Sequence, residues 1–95
     1  MNKTDTLMWL MRAHEAVRKL PEGTDINSVD VTLYGGGNRV KLFLNGEVEI
    51  RNIVAKQEIC YKDGNSGRVD VLDSYGVVYW WGVDFDDNGH VIPRA

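Results

Sequence analysis

The sequence has very few of the residues that build disulfide-bonded or metal-bound scaffolds. Its 95 residues contain a single cysteine, Cys60, and two histidines. One cysteine excludes an intramolecular disulfide and a zinc site built on several thiolates. The fold must therefore rest on a hydrophobic core, which a chain of roughly 100 residues can bury in one domain. We predict a single domain over residues 1–95 and no metal ion or other cofactor.

Long apolar runs are missing as well. The longest run in the N-terminal segment is LMWLM, residues 7–11, which is far short of the ~20 residues that a membrane helix needs. The chain does not open with the basic and apolar regions of a secretory signal. We therefore expect no membrane association, and a cytoplasmic location, which agrees with the low cysteine content.

Basic residues are not in excess. The net charge is -3, whereas a nucleic-acid binder normally carries a basic patch, so we expect no direct nucleic-acid binding. Residues 1–62 hold nine basic and eight acidic residues, but residues 63–95 hold two and six. This acidity either serves solubility or forms an acidic surface for a protein partner with a basic surface. Asp70 and Asp73 are our candidates for such a surface.

The first pattern that is present is a helix from about residue 4 to residue 20. Thr4 and Asp5 are good N-cap residues, and Pro21 ends the pattern. The apolar residues at helical spacing form one stripe, made of Leu10, Ala13, Val17 and Leu20 and flanked by Leu7, Trp9 and Ala16. His14 falls inside this stripe, so we expect it in the core or in an interface.

Turn-forming sequences divide the rest of the chain, after a connector at 21–28, into short strands. We predict strands at about 29–34, 39–44, 47–62, 68–73, 77–85 and 90–92. The Asn-Gly pair at 45–46 is the strongest hairpin signal, and short connections join antiparallel neighbours. The predicted fold is α+β, with the N-terminal amphipathic helix packed on one face of a five- to six-stranded antiparallel meander sheet over residues 29–92.

The third predicted strand changes its apolar parity. Val48 and Ile50 are even-numbered, whereas Ile53, Ala55, Ile59 and Tyr61 are odd-numbered. A straight strand would place these two sets on opposite faces. We therefore predict a β-bulge or a break near Arg51 and Asn52, which would return the second set to the core face.

The fifth predicted strand, residues 77–85, is apolar on both faces. Val78 and Trp80 lie opposite Tyr79 and its odd-numbered neighbours, and Phe43 shares their face by parity. One helix covers one face only, so an aromatic cluster remains uncovered unless a loop or the last strand buries it. Exposed clusters of this kind mark interfaces. We predict partner binding by Phe43, Val78 and Trp80.

The glycine-rich segment YGGGN, residues 34–38, invites comparison with phosphate-binding loops. Those loops lie between a strand and a helix N-terminus, whereas a strand follows here. We predict a flexible hairpin tip, at which Tyr34 is a further candidate for partner contact.

The segment DFDDNG begins like a calcium-binding loop, because Asp84, Asp86 and Asn88 alternate before Gly89. A complete loop has a bidentate Glu at position twelve, where this chain has Ala95. The strand-like residues on either side favour a tight turn and no metal site.

Catalytic groups are scarce. Cys60 has only His14 and His90 as candidate bases, and nothing in the sequence brings either one to the thiol. We therefore predict that the protein is not an enzyme.

These features favour a small non-catalytic protein-binding module, such as an inhibitor or adaptor of the kind that phages use against host defence enzymes. One alternative is a small-ligand binder that uses Tyr79, Trp80 and Trp81 as a platform for a nucleotide or a sugar. Another is a self-associating structural protein, a homodimer formed through the same surface.

Overall fold

The computed structural model describes residues 1–92 as one helix and one mixed six-stranded sheet. The elements in chain order are α1 (Lys3–Lys19), β1 (Ile26–Val31), β2 (Val40–Leu44), β3 (Ile53–Cys60), β4 (Ser66–Asp73), β5 (Val77–Phe85) and β6 (Val91–Ile92). The strand order is β1-β2-β5-β4-β3, with β6 also paired to β5. The α+β prediction is confirmed. Residues 93–95, and with them the twelfth position of the calcium-loop count, lie outside the described residues.

The N-cap of α1 is Asn2, two residues before Thr4, the first of the two predicted N-caps. The side chain of Asn2 accepts a hydrogen bond of 2.8 Å from the backbone N–H of Asp5 and caps the first turn. The acidic Asp5 and the basic Arg18 and Lys19 lie at the ends of α1 that favour their charges. No helix within residues 1–92 is long and apolar enough to cross a membrane.

The buried side of α1 is narrower than the predicted stripe. Ala13 and Ala16 are buried, and Trp9 and Leu20 pack against the core beside them. The small alanines let the helix lie close to the sheet, so the larger residues to one side of this contact remain at its rim. Leu10, Val17 and His14 are exposed there. The prediction that Leu10 and Val17 face the core is therefore wrong, and of the two places expected for His14 the core is excluded.

The sheet is mixed because β2 and β5 are parallel neighbours, with Val40 beside Val77 and Phe43 beside Trp80. The other pairs, β1–β2, β3–β4, β4–β5 and β5–β6, are antiparallel. The predicted hairpin between β2 and β3 is wrong, and so is the continuous meander. A strand that is apolar on both faces buries most surface in a central position, so β5 takes the place beside β2.

A crossover segment, residues 45–52, connects β2 to the far edge of the sheet. Asn45 still donates a backbone hydrogen bond of 3.0 Å to Asp25, and the chain then leaves the sheet. Val48 and Ile50 pack against the core from the helix side instead of forming a strand. The sheet face that carries the core is therefore covered by α1 and by this crossover segment.

The predicted break after residue 50 is confirmed. Asn52 has a left-handed φ of 59°, β3 begins at Ile53, and the register shifts between Ile53 and Ala55. The expected return of the following residues to the core face is wrong. Nearly all of β3 is exposed, because it is the edge strand and α1 packs on β1, β2 and β5.

The hydrophobic core lies between this covered face and α1. The buried sheet residues that form it are Val40, Leu42, Leu44, Val69, Val71, Val77, Tyr79, Trp81, Val83 and Phe85. We call the opposite side of the sheet, on which Phe43, Val78 and Trp80 lie, the open face. Within residues 1–92 neither α1 nor the crossover segment packs on it.

Candidate binding face of the sheet

An aromatic pair marks the centre of the open face. Strand alternation places Trp80 opposite the core residues Tyr79 and Trp81, and the parallel register sets Phe43 beside it. The two rings are stacked with their centroids 4.0 Å apart and their planes 6° apart. Both side chains remain partly exposed. The expectation that Phe43 and Trp80 share the uncovered side of the sheet agrees with this geometry.

A shallow groove of about 430 Å³ runs beside Trp80. Its apolar floor includes Val78, which is 7% exposed, and its cross-strand neighbour Leu72. Four charged side chains surround this floor, namely Asp30, Lys41, Arg68 and Asp70. Lys56 also lines the groove, but it pairs with the core residue Val71, so its side chain lies on the covered side of the sheet. The groove therefore offers an apolar surface and charges of both signs.

The charged groups on the groove rim differ in whether they form salt bridges within the protein. Arg68 donates a hydrogen bond of 3.1 Å from Nε to Oδ1 of Asp70. The Tyr61 hydroxyl and the Asp70 carboxylate hold the pKa of Arg68 above its ordinary value. Within residues 1–92 Lys41 forms no salt bridge. Its ammonium group can meet a carboxylate of a partner.

Tyr34 lies on the hairpin between β1 and β2. The hairpin is closed by a hydrogen bond of 2.7 Å from the N–H of Thr32 to the carbonyl of Arg39, which confirms the predicted glycine-rich tip. Tyr34 is 86% exposed. Asn38 of the same loop lines the groove and Tyr34 does not, so Tyr34 lies at most at the periphery of a shared contact surface.

Asp70 and Asp73 occupy opposite faces of the sheet. Asp70 lies on the groove rim, whereas Asp73 is 6% exposed and belongs to the covered side. Asp73 accepts hydrogen bonds from the backbone N–H groups of Tyr75 and Val77 and from the Tyr79 hydroxyl, at 2.9, 3.0 and 2.8 Å. All of these partners are internal, so Asp73 stabilises the turn after β4 and is no part of the open face.

The nucleophile and base candidates are spread over the surface. Cys60 is exposed, and its thiol lies 3.6 Å from the carbonyl oxygen of Tyr61. His14 lies on the outer side of α1 next to Glu15, and His90 lies against Asp86. Each group thus has a different neighbour, and none of these contacts joins the thiol to an imidazole.

The segment after β5 is a tight turn, as predicted. Oδ1 of Asp86 accepts hydrogen bonds from the backbone N–H groups of Asn88 and His90 at 2.9 and 2.8 Å, and β6 follows antiparallel to β5. The bond from His90 is the main reason that the pKa of Asp86 is lowered. Among residues 1–92 no three His, Cys, Asp or Glu side chains are grouped so that they could hold a metal ion.

A second groove, of about 580 Å³, lies on the other side of the molecule between α1 and the end of β4. Its lining is mostly apolar and includes Met8, Met11, Tyr75 and Val77. Lys19 Nζ lies 4.6 Å from the centre of the Tyr75 ring. This groove is separate from the open face and is useful as a reference surface in binding experiments.

The groove residues Leu72, Lys41, Lys56 and Arg68 were not singled out from the sequence. The turn at 73–76 could have indicated Leu72, since a hairpin there sets it opposite Val78. Lys41 joins the groove through the parallel pairing of β2 with β5, for which the sequence carries no local signal. No protein-family model matches the chain, and neither the curated proteins nor the solved structures contain a match to it.

Proposed function

We propose that this protein is a small non-catalytic protein-binding module that holds its partner on the open face of the sheet. The observation that carries the proposal is the stacked Phe43–Trp80 pair on the uncovered side of the central strand. A partly exposed tryptophan on a rigid strand is a typical binding hot spot, because it offers a large contact area at a small entropic cost.

The groove beside this pair defines the chemistry of the partner. An apolar side chain of the partner fits the floor formed by Val78 and Leu72. A carboxylate of the partner meets Lys41, and a basic group meets Asp30 at the rim. The aromatic pair supplies affinity, and these charges supply orientation.

A basic region of the partner has a second place to bind. Asp63, Asp86 and Asp87 lie in two turns at one end of the sheet. These turns are neighbours, since the N–H of Phe85 donates a hydrogen bond of 2.8 Å to the carbonyl of Asn65. Attraction by this acidic end speeds encounter with a basic surface and weakens as salt is added.

Within this class, an inhibitor or adaptor of the kind that phages use against host defence enzymes is the version we favour. It is supported by the small size of the chain and by its acidity. The analogy rests on the size and charge of the chain, and not on sequence similarity or on the residues of a site.

The test is a pull-down from a lysate of the cells that make the protein, with four baits. The baits are wild type, Trp80→Ala, Phe43→Ala and, as the matched control, Met11→Ala, which removes an exposed apolar side chain from the helix groove. We expect wild type and the control to capture one common partner, and each open-face variant to weaken its binding by ~2 kcal/mol.

Thermal unfolding of all four baits separates binding from folding. The proposal requires near-normal unfolding of Trp80→Ala together with weaker binding. If Trp80→Ala unfolds the protein and wild type captures no partner, Trp80 serves only the core and the proposal fails.

A second function, binding of a nucleotide or a sugar, is favoured by the groove volume of about 430 Å³, which lies within the range of ~300–1,000 Å³ for ligand pockets. Phe43 occupies one face of the Trp80 ring, so a base or sugar would stack on the other face only. A thermal-shift screen with nucleotides and sugars tests this function. A saturable stabilisation that Trp80→Ala abolishes would support it.

A further inference from the structure

The outer edge of β3 is the longest free strand edge of the sheet. β3 has eight residues, almost all of them exposed, and within residues 1–92 it pairs only with β4. A free edge offers a row of backbone N–H and C=O groups that can pair with another strand. The opposite edge, β1, has six residues and one charged side chain, Asp30, so it lacks opposite charges for self-pairing.

The register of β3 with β4 shows which backbone groups are available. The N–H of Tyr61 donates to the carbonyl of Ser66, and the same register continues back to Ala55. In an antiparallel ladder every second residue points its backbone groups at the neighbour. The groups of Lys56, Glu58 and Cys60 therefore point away from β4, toward an incoming strand.

The side chains of β3 select a second copy of this chain as that strand. Two β3 strands can pair antiparallel about a twofold axis at Gln57. Lys56 of each copy then lies directly opposite Glu58 of the other copy, so that two Lys–Glu pairs form across the interface. Opposite charges directly across a sheet are stabilising, and like charges are destabilising. Shifting the axis by one residue sets Lys56 against Lys56 or Glu58 against Glu58.

The remaining contacts of this register are compatible. Ala55 lies opposite Ile59 of the other copy, and Gln57 lies opposite itself. No charge is left facing an apolar residue between Ala55 and Ile59. The bulge between Ile53 and Ala55 limits the regular pairing to the stretch that carries the charge pattern.

We propose that two copies of this chain associate through β3 into one continuous sheet with six strands from each copy. The twofold axis runs perpendicular to the sheet, so both open faces point to the same side. The two Phe43–Trp80 pairs then lie on one surface. The dimer forms at the β3 edge, next to the groove of the proposed partner site, and does not depend on that site.

Charge reversal tests the proposed register, with the dissociation constant measured by analytical ultracentrifugation over a wide concentration range. Lys56→Glu and Glu58→Lys each create two like-charge pairs, so each variant alone should dimerise about tenfold more weakly or worse. Mixing the two variants restores opposite charges at both positions, and so does combining both changes in one chain. We expect both the mixture and the double variant to regain association close to that of wild type.

Cross-linking tests the position of the axis. In a Cys60→Ser background, Gln57→Cys sets two cysteines opposite each other in a non-hydrogen-bonded pair, whose spacing of ~4.5 Å between Cα atoms suits a disulfide. We expect mild oxidation to link this variant as a dimer. Asn27→Cys in β1, in the same background, should stay monomeric and serves as the control.

Three outcomes would overturn the inference: a wild-type chain that is monomeric at every concentration, charge reversals without effect on dimerisation, or equal cross-linking at residues 27 and 57. Dimerisation that Trp80→Ala abolishes and Lys56→Glu does not would place self-association on the open face instead. Partner capture is read separately, so failure of the dimer leaves the proposed partner site intact.

Discussion

Asp73 illustrates how one buried carboxylate organises the end of a strand. It accepts three hydrogen bonds, two from backbone N–H groups of the turn after β4 and one from the hydroxyl of Tyr79. Together these bonds satisfy polar groups that would otherwise be buried without partners. A residue that looks like part of an acidic surface in the sequence thus has a structural task.

Asp73→Ala should lower the free energy of unfolding by about 2–4 kcal/mol, because it leaves two N–H groups and a hydroxyl without their acceptor. Asp70→Ala is the matched control, since the Arg68–Asp70 pair is partly exposed and contributes about 0–1 kcal/mol. Urea unfolding at neutral pH measures both variants. Equal effects of the two substitutions would contradict the role of Asp73.

Tyr79 should make the protein sensitive to alkali. Burial is the main reason, and the bond to Asp73 a further one, that the pKa of Tyr79 is raised above its ordinary 10.0. The stabilisation that the protonated Tyr79 hydroxyl gives the folded state is therefore fully present below pH 10.0. It is lost as pH rises toward the folded-state pKa, because in that range the unfolded chain loses the proton and the folded chain keeps it.

Tyr79→Phe removes this titration. The difference in unfolding free energy between wild type and Tyr79→Phe should shrink as pH rises from about 10 to about 12, measured by urea unfolding at each pH. The other three tyrosines are common to both proteins and cancel in the comparison. A difference that is constant across this range would contradict the burial of a neutral Tyr79.

Among the elements, the edge hairpin β3–β4 contains a close backbone approach at Gly67. A Cβ atom added at Gly67 would collide with the carbonyl oxygen of Ile59 and would lie 2.6 Å from the Phe85 ring. Gly67 is paired in the middle of the sheet and has no left-handed φ, so glycine is needed here for space rather than for backbone freedom.

Gly67→Ala should therefore destabilise the protein by about 2 kcal/mol, because a backbone carbonyl cannot move aside without disturbing the β3–β4 ladder. Gly36→Ala is the control, because its added methyl group meets open space in the β1–β2 loop. Its unfolding free energy should stay within about 0.5 kcal/mol of wild type. Thermal or urea unfolding of both variants measures these effects. An unchanged unfolding free energy of Gly67→Ala would contradict the close approach.

At the scale of the whole molecule, the order of the strands determines which residues are protected. β5 has neighbours along both edges and lies under α1, whereas β3 is an edge strand. In a simple meander β3 would instead have β2 along its outer edge. The two arrangements predict different hydrogen-exchange patterns.

In dilute solution the amide protons of Tyr79 and Trp81 in β5 should exchange only by global unfolding, whereas those of Lys56 and Glu58 should exchange rapidly from the free edge. Amide exchange followed by NMR measures both groups. Protection of Lys56 and Glu58 equal to that of β5 at low concentration would contradict the mixed sheet.

The sequence by itself determined the features that depend on neighbouring residues. The bounds of β5 and the turns after β4 and β5 were predictable, because alternation and turn preferences act within a few residues. The same alternation predicted that Trp80 and Phe43 lie opposite the core residues of their own strands.

Only the tertiary structure decided which strands pair and which side chains are covered. The Asn-Gly pair at 45–46 indicated a hairpin locally, yet β5 lies beside β2 and residues 45–52 cross the core side of the sheet. Asp73 and Asp70 look alike in the sequence, and pairing puts one in the core and the other on the groove rim. Strand order follows from competition among all strands for buried surface, and no short stretch of sequence encodes that competition.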